Sequence, residues 1–194
     1  MDCAQALEQL KDKIGDCQLC ALAANRQHIV ISRGAPAARI MLIGEGPGAD
    51  EDKQGLPFVG RAGQLLDKIL AAAELPNEDT YICNVVKCRP PNNRLPLPEE
   101  VAFCKPFLRE QIKIVYPKII VCLGALATQV LINEQARITR VRGQWHKKGA
   151  FWIMPTFHPA ALLRDENKKR LVWQDMQQVR DKYRQLTLDD QSRR

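Results

Sequence analysis

Four side chains in this sequence pair useful chemistry with a rigid place to hold it. Glu45, Asn84 and His158 each stand at the end of an apolar run, and Phe58 sits in the stiff loop Gly55-Leu56-Pro57-Phe58-Val59-Gly60. A carboxylate can orient water, a carboxamide offers one donor and one acceptor group, an imidazole can donate to developing charge, and a ring can stack on a flat ligand. Each also has an ordinary reading: Asn84 bonding its own backbone at a strand end, or His158 capping a loop before Pro159. Those readings lose weight because Glu45, Asn84 and His158 share one predicted sheet edge.

Cysteine supplies a second set. Cys17, Cys20, Cys88 and Cys104 form a C-x2-C…C-x15-C pattern. Four thiolates suit tetrahedral zinc or a [4Fe–4S] cluster equally, and the spacing does not choose. Cys83 and Cys122 lie in apolar runs as small buried hydrophobes, and Cys3 lies near an end expected to fray.

The elements that must position these groups are legible as apolar runs. Residues 40–43, 80–86, 118–124 and 151–157 predict four strands. Helical spacing predicts helices over 5–14, from Gly63 onward, over 98–115, over 125–132 and from about Asn167. Pro106 is expected to kink or split the third of these. The alternation of strand and helix implies a three-layer α/β/α fold with a central four-stranded parallel sheet, and right-handed crossovers put the strand ends on one side. Pro47 and Gly48 argue against a helix directly after the first strand. They weigh, with Asp50, Glu51 and Asp52, against reading Gly44-x-Gly46-x-x-Ala49 as a dinucleotide fingerprint. Residues 21–38 read as irregular, with His28 given no role, and 187–194 as a frayed tail. Arg140 and Arg142 read as solvated charges open to phosphate.

The chain has 194 residues, 45% of them apolar, a length suited to one domain with a sizeable core. Its formal net charge of +7 suits a polyanionic partner but is a weak signal alone. No apolar stretch of signal-peptide or membrane-span length is present, which leads to the expectation of a cytoplasmic protein, one domain over 1–194, without a membrane partner. Seven cysteines, an odd number, argue against a disulfide framework there.

Three segments in this order, GEGPGADEDKQGLPFVG, NVVKCRPPNNR and HPAALLR, together with the four cysteines, resemble the iron–sulfur (family 4) branch of the uracil-DNA glycosylase superfamily. The resemblance spans nearly the whole chain. It implies an enzyme that flips uracil out of single- or double-stranded DNA and hydrolyses its N-glycosidic bond, leaving an abasic site. It also selects [4Fe–4S] for Cys17, Cys20, Cys88 and Cys104. By the resemblance, Asn84 meets uracil N3–H and O4, His158 donates to O2, and Phe58 stacks on the base. Glu45 orients water, Gly46 fills a place that carries Asp or Asn in other branches, and Glu51 shapes the pocket near uracil C5. Lys87, Arg89, Arg94 and Arg164 are expected on phosphates, with Arg164 and Leu162 or Leu163 helping to hold the gap left by the flipped base. Schiff-base lyase chemistry is not expected, and the basic insertion of a DNA-crosslinking relative is missing. The expectation is therefore monofunctional turnover by a monomer. A DNA-binding module with a structural cluster is the competing reading, and an electron carrier the third. The binding module does not explain why Glu45, Phe58, Asn84 and His158 share one predicted edge, and the electron carrier predicts turnover of the cluster between redox states under mild potentials.

Overall fold

Strands covered on both faces read as continuous apolar runs, not as alternation, and four such runs form the interior of the sheet. A computed structural model, described for residues 2–192, has β1 at Ser32–Gly34, β2 at Ile40–Gly44, β3 at Thr80–Asn84, β4 at Ile119–Leu123, β5 at His146–Lys148 and β6 at Phe151–Thr156. They make one sheet in the order β1-β3-β2-β4-β6-β5. β2 runs parallel to β3 and β4, and β4 parallel to β6, whereas β1 and β5 are antiparallel edges. The sheet is therefore mixed and six-stranded among the described residues, not four-stranded as expected. The edge strands escaped prediction because Ser-Arg-Gly and His-Lys-Lys are three residues each, with no apolar run to mark them.

The helices are α1 (Cys3–Ile14), α2 (Ala49–Gln54), α3 (Arg61–Ala72), α4 (Pro98–Val115), α5 (Ala125–Leu131), α6 (Ile138–Val141), α7 (Pro159–Arg164) and α8 (Asn167–Gln191). Successive strand residues point to opposite faces. Met41 and Ile43 therefore join Cys104, Leu108 and Ile112 of α4 in one core cluster. Ile40 and Leu42 join Leu66, Leu70, Leu162, Met176 and Val179 of α3, α7 and α8 in the other.

Several expectations are corrected here. A helix, α2, does begin directly after Gly48, because the Glu51 carboxylate turns back to accept the Gly48 N–H at 3.1 Å. Asp52, buried on α2, accepts the Gln27 N–H at 2.9 Å and so ties down the segment expected to be irregular. Pro106 does not split α4: Ala102 and Pro106 are both exposed, so water can serve the carbonyl that loses its partner. Cys3 is not frayed, since Asp2 caps α1 by accepting the Gln5 N–H at 2.8 Å. The tail expected from 187 is helical as far as Gln191, where Arg39 donates to Thr187 Oγ1 at 2.9 Å and lies 3.6 Å from Asp190. The last two residues of that expected tail lie outside the described ones. Arg142 is no surface charge: it forks onto the fully buried Asp175 and donates to the Leu171 carbonyl at 2.8 Å. Among the described residues no helix is long and apolar enough to cross a membrane.

Candidate active site

The parallel strands β2, β3, β4 and β6 end on one side of the sheet. A cleft of about 620 Å³ opens there, lined by Glu45, Gly46, Glu51, Phe58, Asn84, Arg94, His158 and Arg164 among others. Such crevices at strand carboxyl ends are where open α/β sheets take their ligands.

Asn84, the last residue of β3, is 1% exposed, and its Oδ1 is buried without any hydrogen-bond partner. A bare buried acceptor costs about 1–3 kcal/mol, so a ligand donor that reaches it recovers that loss. Gly44 makes the arrangement possible. A Cβ there would fall 2.4 Å from Asn84 Oδ1 and 2.5 Å from Phe58 Cζ. Phe58 is held in the left-handed region at φ 56°, with its ring stacked on His158 at 5.5 Å between centroids and 29° between planes. Sequence reasoning gave Arg33 no role, yet it braces this loop. It donates to the Pro57 carbonyl at 3.0 Å and the Phe58 carbonyl at 3.4 Å while pairing with Asp67 at 2.5 Å.

His158 caps α7, its Nδ1 accepting the Ala160 N–H at 3.1 Å. With Nδ1 an acceptor, the proton of the neutral ring sits on Nε2. Burial and the nearby Arg164 cation push its pKa down to about 4, so the ring is a neutral donor near pH 7. Glu45 follows β2. Burial raises its pKa, opposed by the Leu126 N–H and by Arg164. Gly124, missed by sequence reasoning, keeps these two groups close. It has φ +97°, and a Cβ on it would lie 2.8 Å from Glu45 Oε1 and 3.1 Å from the His158 Cβ. The signal was present as a glycine ending an apolar strand.

Glu51 lines the cleft, but its oxygens are engaged. Oε1 accepts the Val59 and Gly60 N–H groups at 2.9 Å each, and Oε2 accepts that of Gly48. It therefore staples two loops together, a different task from facing a ligand. Arg94 is likewise committed, forked onto buried Glu100 at 2.8 and 2.6 Å.

Two expected DNA contacts are overturned. Lys87 is 1% exposed, its Nζ donating to the Asn84 carbonyl at 2.6 Å and to Gln111 Oε1 at 2.5 Å, so it cannot reach a phosphate. HPAALLR is a helix rather than a loop, and its periodicity turns Leu162 into the core at 1% exposure, leaving Leu163 exposed at 44%. Arg89 is half-buried, its Nε donating to Asn93 Oδ1 at 2.9 Å.

Away from the cleft, Cys17, Cys20, Cys88 and Cys104 line one small cavity between the knuckle after α1, the segment after β3, and α4. Cys88 and Cys104 are buried and the other two half-buried. Arg26 Nη1 lies 3.7 Å from Cys88 Sγ. Among the described residues no three His, Cys, Asp or Glu side chains converge tightly enough to hold a single metal ion.

The fold and cleft define a doubly wound α/β protein with a cleft at its strand ends. The chain belongs to the uracil-DNA glycosylase superfamily, whose family model matches residues 31–177. It is 44% identical over 182 residues to a type-4 uracil-DNA glycosylase of Thermotoga maritima, covering 91% of this chain and 94% of that one. A type-4 enzyme of Sulfurisphaera tokodaii is 40% identical, covering 91% and 84% of the two chains. One of Archaeoglobus fulgidus is 43% identical, covering 82% and 84%.

Proposed function

We propose that this chain is a monofunctional DNA repair glycosylase that takes uracil from DNA into the cleft and hydrolyses its N-glycosidic bond. The observation that carries the reading is the unpartnered Asn84 Oδ1 in a cleft shared with a histidine restricted to one tautomer. A base inside a duplex is out of reach of such a cleft and must be flipped. The Asn84 carboxamide then accepts from uracil N3–H and donates to O4. The Phe58 face stacks on the base, a contact worth about 1–3 kcal/mol. As the glycosidic bond breaks, its electron pair leaves with the base, and the His158 Nε2–H donates to the negative O2. Glu45 orients the attacking water and faces the cationic sugar. Gly46 keeps backbone bare at the cleft wall, where a Cβ would lie 2.8 Å from Val86. Glu51 acts on the site through the loops that it joins. The deciding assay is free-uracil release from a uracil-containing oligonucleotide, with strand cleavage measured alongside. Binding without release would favour the DNA-binding module.

We assign Cys17, Cys20, Cys88 and Cys104 to a [4Fe–4S] cluster. The support is one cavity lined by all four thiols, together with kinship to the type-4 enzymes. When bound, the cluster would brace the N-terminal knuckle against the segment after β3. Anaerobically purified protein should be brown with about four irons per chain. Stoichiometric zinc without iron would contradict the assignment.

For the DNA surface, the proposal retains Arg89, Arg94, Arg164 and Leu163. Arg89→Ala and Arg164→Ala should weaken uracil-containing and undamaged duplex about equally. Each should lower the slope of log affinity against log salt by about 0.9. Unchanged slopes would remove these residues from the interface. One domain over 1–194, working as a monomer in the cytoplasm, completes the proposal.

A further inference from the structure

Lysine is almost never fully buried unless paired. The hydrogen-bond acceptors around the Lys87 Nζ are nevertheless neutral: the Asn84 carbonyl and Gln111 Oε1. Gln111 is itself fully buried and held, donating to the Tyr81 hydroxyl at 2.8 Å and the Ile31 carbonyl at 3.2 Å. Lys87 also lines the four-cysteine cavity, beside Cys88 and Cys104. One side chain thus touches two places given separate tasks, the peptide that carries Asn84 and the wall of the thiol cavity. The bond to the Asn84 carbonyl comes at the last residue of β3.

We propose that Lys87 is a positioning residue that sets the Asn84 carboxamide from beneath, and that through it the contents of the four-cysteine cavity are felt at the base-recognition site. This inference rests on the glycosylase reading. Its second half also rests on the cluster assignment. Lys87→Met keeps the length and apolar stem of the side chain but removes the donor. In the full-length, iron-loaded protein it should lower single-turnover uracil release about 30-fold, within the range for residues coupled through one network. Duplex affinity and its salt slope should stay near wild type.

The test is a double-mutant cycle with Asn84→Ala. If Lys87 acts through Asn84, Lys87→Met should cost less than about threefold more in the Asn84→Ala background. Gln111→Leu removes one Nζ acceptor and should show a smaller loss with the same disappearance, which decides the matter if Lys87→Met does not fold. Losses that multiply fully in the double variants would overturn the proposal, as would wild-type release by Lys87→Met. Iron and visible absorption, measured on each variant, separate the two halves. In iron-depleted wild type, release should fall toward that of Lys87→Met, whereas depletion of Lys87→Met should add little. Full release by depleted wild type would overturn the coupling to the cavity and leave the cycle to judge Lys87 alone. A chain that holds no iron even when purified anaerobically would defeat the cluster assignment and the coupling with it, with the cycle again judging the first half.

Discussion

Asn84→Ala is expected to lose uracil release by roughly 10⁴-fold or more, because a site built on hydrogen bonds to its substrate discriminates on that scale. The protein should melt close to wild type, since the change removes an acceptor that has no partner in the free fold. Asn84→Asp should also lose most uracil activity, for its second acceptor faces uracil O4. The same acceptor can receive a bond from the 4-amino group of cytosine, so Asn84→Asp should gain a small, measurable release of cytosine. Asn84→Ala should not. Thermal melts beside release assays on uracil- and cytosine-containing strands check these statements. A stable Asn84→Ala protein with normal uracil release would end the proposed role of this residue.

Second in size is the loss from His158→Ala, about 10²–10³-fold in single-turnover release, the usual effect of deleting one preorganised donor to a developing anion. Affinity for DNA should change far less. The pH profile separates this role from general acid catalysis. With its pKa pushed down to about 4, His158 is a neutral donor throughout the working range. The acid limb of the rate should instead follow Glu45, whose carboxyl pKa is raised by burial and which, in the role proposed for it, acts as the carboxylate. Release should therefore fall as pH drops through the Glu45 pKa. His158→Ala should keep that limb at a lower rate, and Glu45→Gln should abolish it. A limb that disappears with His158 would reverse the assignment. Stability carries a matching signature. Between about pH 6.5 and 4 the unfolded chain binds a proton at His158 that the folded chain does not, so stability drops as pH falls through that window. His158→Ala should remove this component.

The interior of the sheet was legible because Ile40–Gly44, Thr80–Asn84, Ile119–Leu123 and Phe151–Thr156 are buried along nearly their full lengths. Glu45, Asn84 and His158 could be grouped from sequence for the same reason: each follows or ends such a run. The errors lie where one residue type serves either environment. Lys87 stands among basic residues in a loop, and only the packing of α4 across β3, which brings Gln111 to it, turns it inward. Leu162 and Leu163 are adjacent and identical in type, so their fates depend on the phase of a six-residue helix too short to show periodicity. Arg142 looked like Arg140 until Asp175, 33 positions on, was seen to meet it. Glu51 is expected, by the resemblance, to shape the pocket near uracil C5, while its position three residues after Gly48 commits its oxygens to the Gly48, Val59 and Gly60 amides.

That staple has a kinetic consequence. One carboxylate holds the loop after Glu45 and the loop after Phe58 through three backbone N–H groups, so these walls are ordered before any DNA arrives. Little of the ordering entropy of the encounter then falls on the protein. It falls on the nucleic acid, whose base must leave its stack and its partner. Among substrates carrying the same base, the commitment to cleavage is then ranked by how readily each strand releases it. Single strands and mispaired sites should outrun well-stacked pairs, even though every protein contact to the extruded base is the same.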